Sequence, residues 1–342
     1  MDMLKTITVC GGGSLGHVIA GWLSAHGKAV VNLLTGRPGQ WHEDIDVDTP
    51  EGIVLRGHIA RASSLPQEVI PQSDVVLLCL PGFLIAQELQ RISPHLHPQA
   101  FVGSVFSSTG FFFEAFRILN PGQPLWGFQR VPFISRVGVY GQSAHLLGYK
   151  DRLHLAVENV AQRQKESFAR LMEDWFQRPV CLLSGYLEAS LTNSNPLLHT
   201  SRLYTMFGGE NEGRIYPRMI LFYEEWTSEA ADLLIRMDEE FFRLLGVLPV
   251  TQGFLPTILD YYESHDAVSL AAKLSSIRGF KGIPSPMKEV EGGWGPDFSS
   301  RYFVEDFPYG LRYISQLAHD KKVACPLIDK VLEWGMSKAG RG

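Results

Sequence analysis

The stretch from Ile7 to Gly16 constrains the fold of this chain more than any other. Strand-forming residues run directly into glycines with the spacing Gly-x-Gly-x-x-Gly. A helical pattern follows from Leu15 to His26, and Lys28 to Leu34 reads as a second strand. In a βαβ unit these glycines allow a tight turn, let the backbone approach a pyrophosphate, and let helix and strand pack closely. We therefore predict a Rossmann-type dinucleotide-binding domain; a merely structural turn is the alternative.

Composition excludes several classes of protein. The 342 residues are 45% hydrophobic and 20% charged, and this length suggests about two domains. A net charge of -5 argues against a nucleic-acid or anionic-membrane surface. No segment reaches the roughly 18 apolar residues that span a bilayer. We expect no signal peptide, because the N-terminal residues already form the first predicted strand. The four cysteines have no metal-type spacing and read as buried thiols. We expect a cytoplasmic protein without a metal site.

The end of the second strand indicates which cofactor is bound. NAD-binding units usually place Asp or Glu about twenty residues beyond the glycines, on the ribose 2′-hydroxyl. This chain has no carboxylate there and reads Leu34-Thr35-Gly36-Arg37. Thr35 can bond a 2′-phosphate and Arg37 can pair with it. The sequence favours NADP, with NAD as the alternative and a solvated loop arginine as the plain interpretation of Arg37.

Alternating strand and helix patterns continue beyond this point. Ser73 to Leu80 predicts a strand buried on both faces, and Pro81 ends it at the edge where such sheets bind ligands. We expect hairpins at 44–60 and, at the sheet edge, 136–148. The predicted cofactor-binding residues are Gly11, Gly13, Ser14, Leu15, Gly16, Thr35, Arg37, Leu80 and Pro81.

The pattern changes at Gly185, after which helical periodicity dominates. Helices are predicted at about 186–207, 216–245, 257–263, 267–276, 308–319 and 326–334. We expect an α/β domain over 1–184 followed by an all-α domain over 185–342.

The predicted helix 186–207 contains Asn195, Pro196 and His199. Proline cannot donate to the carbonyl four residues back, so we expect a kink at Pro196. Asn195 and His199 are four apart and lie on one helix face. Histidine exchanges protons near neutral pH, but an isolated histidine is more often structural. The pattern alone leaves the catalytic reading of His199 open.

A second polar stretch runs from Arg301 to Leu311. Pro308 fits the first turn of a helix, which makes Asp306 a candidate N-cap worth about 1 kcal/mol. On that reading, Arg301 is an ordinary surface charge.

Three motifs together resemble the octopine/nopaline (opine) dehydrogenase family. They are Gly-Gly-Gly-Ser-Leu-Gly, Asn-x-Asn-Pro-x-x-His and Arg-Tyr-x-x-Glu-Asp-x-Pro-x-Gly-Leu, of which the last two are the more specific. The resemblance covers nearly the whole chain, including Gln129-Arg130-Val131-Pro132 and Tyr140-Gly141. One departure is Thr200, where many relatives have proline.

The resemblance implies a function and roles for particular residues. His199 and Asp306 correspond to a catalytic dyad, Arg301 to a contact with a substrate carboxylate, and Asn195 to a second substrate-binding residue. The implied reaction condenses an amino acid amine with a 2-oxo acid, and the imine then takes a hydride from NAD(P)H. Small molecules are the expected partners. The sequence leaves open whether the protein forms a homodimer.

Two rival functions are consistent with parts of the sequence. A ketopantoate or glycerol-3-phosphate type reductase needs a catalytic lysine in the helical half, where Lys273 and Lys281 lie outside convincing motifs. A non-catalytic NADP sensor would keep the glycine loop and lose catalysis.

Overall fold

The computed structural model describes residues 5–339 and divides the chain into two compact units. The first unit ends at Ser190 and the second begins at Leu191. No helix within residues 5–339 combines the length and the apolar character needed to span a bilayer.

The first unit alternates strands and helices. In chain order they are β1 (Thr6–Cys10), α1 (Ser14–Ala25), β2 (Val30–Leu34), β3 (Asp44–Asp48), β4 (Val54–His58), β5 (Arg61–Ser63), α2 (Pro66–Val69), β6 (Val75–Leu78), α3 (Gly82–Ile92), β7 (Phe101–Ser104), α4 (Phe111–Ile118), β8 (Leu125–Phe128), β9 (Phe133–Val137), β10 (Ser143–Tyr149), β11 (Leu153–Glu158), α5 (Gln162–Phe176), β12 (Val180–Leu182) and α6 (Tyr186–Ser190).

An eight-stranded sheet forms the centre of this unit, in the order β12-β11-β8-β7-β6-β1-β2-β5. All neighbours pair in parallel except β8 and β11, which are antiparallel. Every residue of β6 is buried, as its continuous apolar run predicts for a strand covered on both faces. The predicted Rossmann-type α/β domain is confirmed.

A second sheet of four strands, in the order β4-β3-β10-β9, differs from the prediction. The hairpins β3–β4 and β9–β10 exist, but β10 pairs in parallel with β3, with Ser143 opposite Asp46. The predicted place of the 136–148 hairpin at the edge of the main sheet is therefore wrong. This pairing joins segments about a hundred residues apart, so local patterns do not reveal it.

Helix α1 packs against this second sheet as well as against the main sheet. A side chain at Gly21 would place its Cβ 2.4 Å from Cγ2 of Val47, so only glycine allows this close packing. The seven consecutive residues His17–Leu23 are all buried, so the helix is covered on every side over this stretch. The helix that follows the glycine loop is thus held on two faces.

The second unit is mainly helical, as predicted. Its elements are α7 (Asn195–Phe207), α8 (Ser228–Leu245), α9 (Ile258–Tyr261), α10 (Ala267–Ser276), the hairpin β13 (Met287–Val290) and β14 (Gly293–Pro296), a π-helix (Tyr302–Leu311), α11 (Arg312–Asp320) and α12 (Pro326–Lys338). Short 3₁₀ helices lie at Pro38–Gln40, Ser93–His95 and Ser107–Thr109 in the first unit, and at Gly209–Asn211 and Arg278–Phe280 in the second.

Two predicted helices differ from the observed ones: the predicted helix 186–207 is divided into α6 and α7, and the predicted helix 216–245 begins only at Ser228. Pro196 does not kink a long helix but lies in the first turn of α7, where its missing N–H costs nothing. The backbone N–H groups of Leu197 and Leu198 instead donate to the carbonyl of Ser194. Helix α8 begins at Ser228 because the side chain of Thr227 caps it by accepting from the N–H of Ala230.

Pro308 also lies elsewhere than predicted. It is inside the π-helix, which begins at Tyr302 and continues directly into α11. In this wider turn the N–H of Arg312 reaches the carbonyl of Phe307, five residues back. The expected helix start at Pro308 is therefore wrong.

Candidate functional site

The glycine loop between β1 and α1 has the geometry of a phosphate cradle. A Cβ on Gly16 would lie 2.0 Å from the carbonyl oxygen of Gly11, which has a positive φ of 120°. Gly13 is exposed, and a Cβ there would meet nothing within 4 Å. Because Gly13 caps α1 without a side chain, Ser14 and Leu15 begin the helix with an open N-terminus of the kind that binds anions.

The carboxyl end of β6 lies beside this loop. A Cβ on Gly11 would approach the carbonyl of Cys79 at 2.7 Å and Cδ2 of Leu80 at 3.0 Å. Pro81 follows as the N-cap of α3. The structure thus brings Leu80 against the glycine loop, at the sheet edge where the sequence predicts ligand binding.

The end of β2 carries Thr35 and Arg37 next to a tyrosine from the second sheet. Oγ1 of Thr35 lies 3.3 Å from the hydroxyl of Tyr140, and the guanidinium of Arg37 lies 5.5 Å from its ring centre. Thr35 is buried and Arg37 is exposed. A Cβ on Gly12 would meet the Tyr140 hydroxyl at 2.4 Å, so this phenol also touches the glycine loop.

His17 fixes the position of this tyrosine relative to the loop. Its Nδ1 donates to the carbonyl of Gly13 (2.9 Å), and its Nε2 accepts from the N–H of Gly141 (2.7 Å). The ring is fully buried and packs against Trp41, with 4.1 Å between the ring centres and an angle of 32° between the ring planes. Both bonds require a neutral imidazole, and burial lowers the pKa of His17. Tyr140, adjacent to Gly141, is thereby tied to the start of α1.

In the second unit, α7 and the π-helix approach each other through a proline and a glycine. A Cβ on Gly310 would lie 2.5 Å from Cγ of Pro196. Glycine and proline, each from one of the two specific motifs, therefore form a close contact between the two helices. His199 lies one turn after Pro196, and Asp306 lies one turn before Gly310.

This contact brings His199 and Asp306 together. Nδ1 of His199 lies 2.8 Å from Oδ2 of Asp306, and the His199 and Asp306 side chains are 9% and 15% exposed. Because a carboxylate can only accept, Nδ1 carries the proton and Nε2 of the neutral ring has a free lone pair. The two residues of the predicted dyad are therefore hydrogen-bonded to each other in the structure. Asp306 lies inside the π-helix, so it is not the N-cap that the simpler interpretation required.

Tyr223 completes this hydrogen-bonded chain. Its buried hydroxyl donates to Nε2 of His199 at 2.8 Å. The phenol ring lies near-parallel to Phe280 at 4.1 Å, and burial raises its pKa well above the usual value. Tyr302 also packs against the imidazole, with 4.7 Å between the two ring centres. Exchange of a proton at Nε2 requires that the bond to Tyr223 be broken or shared.

Two arginines of the second unit, Arg301 and Arg202, differ in their exposure to solvent. Arg301 precedes the π-helix and is exposed rather than buried. The buried arginine is Arg202, one turn after His199, which donates to the carbonyl of Glu225 and lies over Trp226. Its Nε is buried without a hydrogen-bond partner, and burial lowers its pKa to about 10.

The remaining candidates are less distinctive. Asn195 is half-buried at the start of α7, where its N–H donates to the side chain of Asn193. Lys273, considered for a reductase, pairs with exposed Glu263 at 2.6 Å, and Lys281 is exposed.

Sequence reasoning missed the roles of His17, Tyr140, Tyr223 and Arg202 in these two sites. The sequence marks Tyr140 only as part of a motif, because its contact with Thr35 depends on the pairing of β10 with β3. His17 directly follows the last loop glycine, and Arg202 is three residues after His199, so helical spacing offered a signal for both. Tyr223 lies outside the motifs of the sequence, so no local signal indicates its role.

Two family models match separate parts of the chain. Residues 182–338 match the family described as NAD/NADP octopine/nopaline dehydrogenase, alpha-helical domain. Residues 7–106 match ketopantoate reductase PanE/ApbA. Tauropine dehydrogenase of Arabella iricolor is 26% identical, with 99% of this chain and 92% of that protein aligned. Octopine dehydrogenase of Pecten maximus is 25% identical, with 99% and 91% aligned.

Solved structures share the fold. Octopine dehydrogenase with NADH and L-arginine has a TM-score of 0.83 at 23% identity, covering 98% of this chain and 89% of that one. Yersinopine dehydrogenase with NADP⁺ bound has a TM-score of 0.72 at 14% identity, covering 99% and 91%.

Proposed function

We propose, on the premise that this chain belongs to the octopine/nopaline (opine) dehydrogenase family, that it joins an amino acid amine to a 2-oxo acid by NAD(P)H-dependent reduction. The observation that carries the proposal is the hydrogen bond between His199 and Asp306 in the unit that matches the family's helical domain. The bond between nitrogen and carbon forms by condensation with loss of water, and hydride transfer then reduces the imine to a secondary amine.

The glycine loop fits a dinucleotide. Gly13 is open, Gly16 admits close packing, and α1 begins without a side-chain cap or an acidic residue in its first turn. When bound, NAD(P)H supplies the hydride.

We further propose that NADPH is the preferred form. Thr35, Arg37 and Tyr140 offer two hydroxyls and a guanidinium where NAD-binding units usually present a carboxylate. A 2′-phosphate accepts from all three groups, whereas a 2′-hydroxyl gains less from the positive charge of Arg37. The support is the arrangement of these side chains around the end of β2.

His199 is the proposed proton-transfer residue, and Asp306 orients it. The carboxylate holds the proton on Nδ1, so Nε2 is the nitrogen available to the reacting groups. A positive charge on the imidazole is stabilised by Asp306 during proton transfer. Tyr223 holds Nε2 as an acceptor until substrate competes for it.

Arg301 is the proposed partner of a substrate carboxylate, because both reactants are acids and a guanidinium binds a carboxylate in bidentate fashion. Its exposure leaves the guanidinium free to engage a ligand. Asn195, on the same helix as His199 and one turn before it, is the proposed second polar contact. We also propose a cytoplasmic location, in keeping with four free thiols.

The test is NADPH and NADH oxidation across a matrix of amino acids and 2-oxo acids, with mass analysis of the product. We expect oxidation only when an amine and a 2-oxo acid are both present, with a secondary amine as product. Oxidation with the 2-oxo acid alone would support the ketopantoate type of reductase, whose match is confined to residues 7–106. Cofactor binding without oxidation for any pair would support the sensor.

A further inference from the structure

A cluster outside the proposed site brings together three side chains that commonly bind metals. His319 lies near the end of α11, Cys325 directly precedes α12, and Asp329 lies in the first turn of α12. One potential ligand atom from each lies within 4.8 Å of the other two. Within residues 5–339, no other group of three His, Cys, Asp or Glu side chains comes this close.

The three side chains already point at a common place. Oδ2 of Asp329 lies 2.9 Å from Nε2 of His319, and Oδ1 lies 3.4 Å from Sγ of Cys325. Ser315 donates to the same Oδ1 at 2.7 Å. His319, near the end of α11, and Cys325, directly before α12, therefore converge on one carboxylate of α12, and the cluster lies between the end of one helix and the start of the next.

The exposure of the cluster is asymmetric. Cys325 is buried, at 2% exposed, whereas the side chains of His319 and Asp329 are 62% and 36% exposed. A cation could thus reach the sulfur from the side of the imidazole and keep one position open to water. Other histidine–aspartate pairs on the surface, such as His58 with Asp44, lack a thiol.

This donor set selects a particular class of metal. Zn²⁺ binds thiolate, imidazole and carboxylate together, in tetrahedral sites with bonds of about 2.0–2.3 Å. Such bonds place ligand atoms roughly 3–4 Å apart, so atoms that now lie within 4.8 Å need only small side-chain rotations. Mg²⁺ and Ca²⁺ prefer oxygen ligands alone and do not match the set.

We propose that His319, Cys325 and Asp329 form a Zn²⁺ site with water as the fourth ligand. Binding breaks the S–H bond of Cys325, whose proton leaves to solvent, and the lone pair of His319 Nε2 binds the metal once its proton has moved to Nδ1 or to water. The ion then replaces the two protons that now lie between these groups and Asp329. This assignment departs from the expectation of no metal site, which rests on the spacing of the four cysteines alone.

An occupied site would stabilise the segment of the second unit that carries Asp306 against unfolding. The π-helix runs without a break into α11, whose end would then be joined through the metal to the start of α12. Zinc binding to the native state raises the free energy of unfolding by mass action. We therefore expect a higher melting temperature with zinc.

The test uses the metal-free full chain and Co²⁺ as a spectroscopic substitute for Zn²⁺. We expect one equivalent of Co²⁺ to give a thiolate charge-transfer absorption and the visible bands of a four-coordinate ion, both abolished by Zn²⁺. Cys325→Ser should remove the charge-transfer absorption, and His319→Gln should weaken Zn²⁺ binding at least about tenfold. Cys181→Ser and His58→Gln, at a thiol and an imidazole in the first unit, should change neither.

Three results would overturn the assignment. They are no stoichiometric binding of Co²⁺ or Zn²⁺, a charge-transfer absorption that survives Cys325→Ser, and a Zn²⁺ affinity unchanged by His319→Gln. Any of them would leave the cluster as a hydrogen-bonded link between helices. Because His319 is exposed, its variant keeps the test valid if Cys325→Ser fails to fold. These readouts do not depend on dehydrogenase activity.

Discussion

Nδ1 of His199 lies 2.8 Å from Oδ2 of Asp306, although the two residues are 107 positions apart in the chain. The close contact between Pro196 and Gly310 explains how this pair is aligned. Each specific motif therefore supplies one polar residue and one residue that sets the distance between the two helices. The proline and glycine of these motifs serve the geometry of the pair rather than the chemistry.

Gly310→Ala should disturb the pair without touching either polar residue. The new Cβ would lie 2.5 Å from the Pro196 ring, so the π-helix must shift. We expect a lower kcat and an unfolding free energy reduced by about 1–3 kcal/mol, measured by steady-state kinetics and denaturant unfolding. Gly279→Ala is the matched control, because a Cβ there meets nothing within 4 Å. Equal behaviour of the two variants would contradict this role of Gly310.

Arg37→Ala should weaken NADPH binding about tenfold or more and leave NADH binding nearly unchanged. The reason is the loss of a charged hydrogen bond to the 2′-phosphate, which is worth about 1.5–3 kcal/mol. Fluorescence titration of both cofactors measures the two affinities. Arg163→Ala, at an exposed position on α5, should alter neither. Equal affinities for the two cofactors in both wild type and Arg37→Ala would refute the NADPH preference.

Arg301→Lys should raise the KM for an acid substrate about tenfold, because a point charge replaces a two-pronged donor. The cofactor affinity should stay constant. Arg236→Lys, also exposed in the second unit, provides the control for a change of surface charge type. If both kinetic constants of Arg301→Lys matched the wild type, Arg301 would be an ordinary surface residue.

The ionised carboxylate of Asp238 should lower the free energy of unfolding at neutral pH. Burial raises its pKa from the usual 3.8 to about 6, so the folded state binds a proton more tightly than the unfolded state. Stability therefore falls as pH rises from about 4 to 6, by at most about 3 kcal/mol. Asn can still accept from the N–H of Ile258, as Asp238 does.

Asp238→Asn should then be more stable than wild type at pH 8, with the advantage vanishing near pH 3.5. Denaturant unfolding across pH measures this difference. Asp232→Asn, exposed on the same helix, should show no such trend. An advantage of Asp238→Asn that grows on acidification would contradict the direction of the pKa change.

The parts of the fold that sequence predicted are those encoded locally. Glycine spacing in the loop before α1, and the apolar run of β6, depend on neighbours in the chain. The second sheet depends on the pairing of Ser143 with Asp46, which no local pattern records. The same limit hid the contact between Tyr140 and Thr35.

The candidate site was predicted to the extent that motifs encode it. His199 and Asp306 came from two motifs and a family resemblance, whereas Tyr223 lies in a segment without regular helix and shows no pattern of its own. The sequence does not predict the π-helix, because a proline such as Pro308 usually lies in the first turn of a helix. A wider turn with bonds to the fifth residue back allows the proline to lie inside.

The most direct test of the account is the turnover of Asp306→Asn, His199→Ala and the double variant, measured with saturating NADPH and both substrates. We predict that each single variant loses about a hundredfold or more in kcat, because the tautomer or the proton-transfer group is lost. The double variant should lose little more, since the pair acts as a unit. NADPH affinity and melting temperature should change little. Near-normal turnover of Asp306→Asn, or losses that multiply in the double variant, would contradict the account.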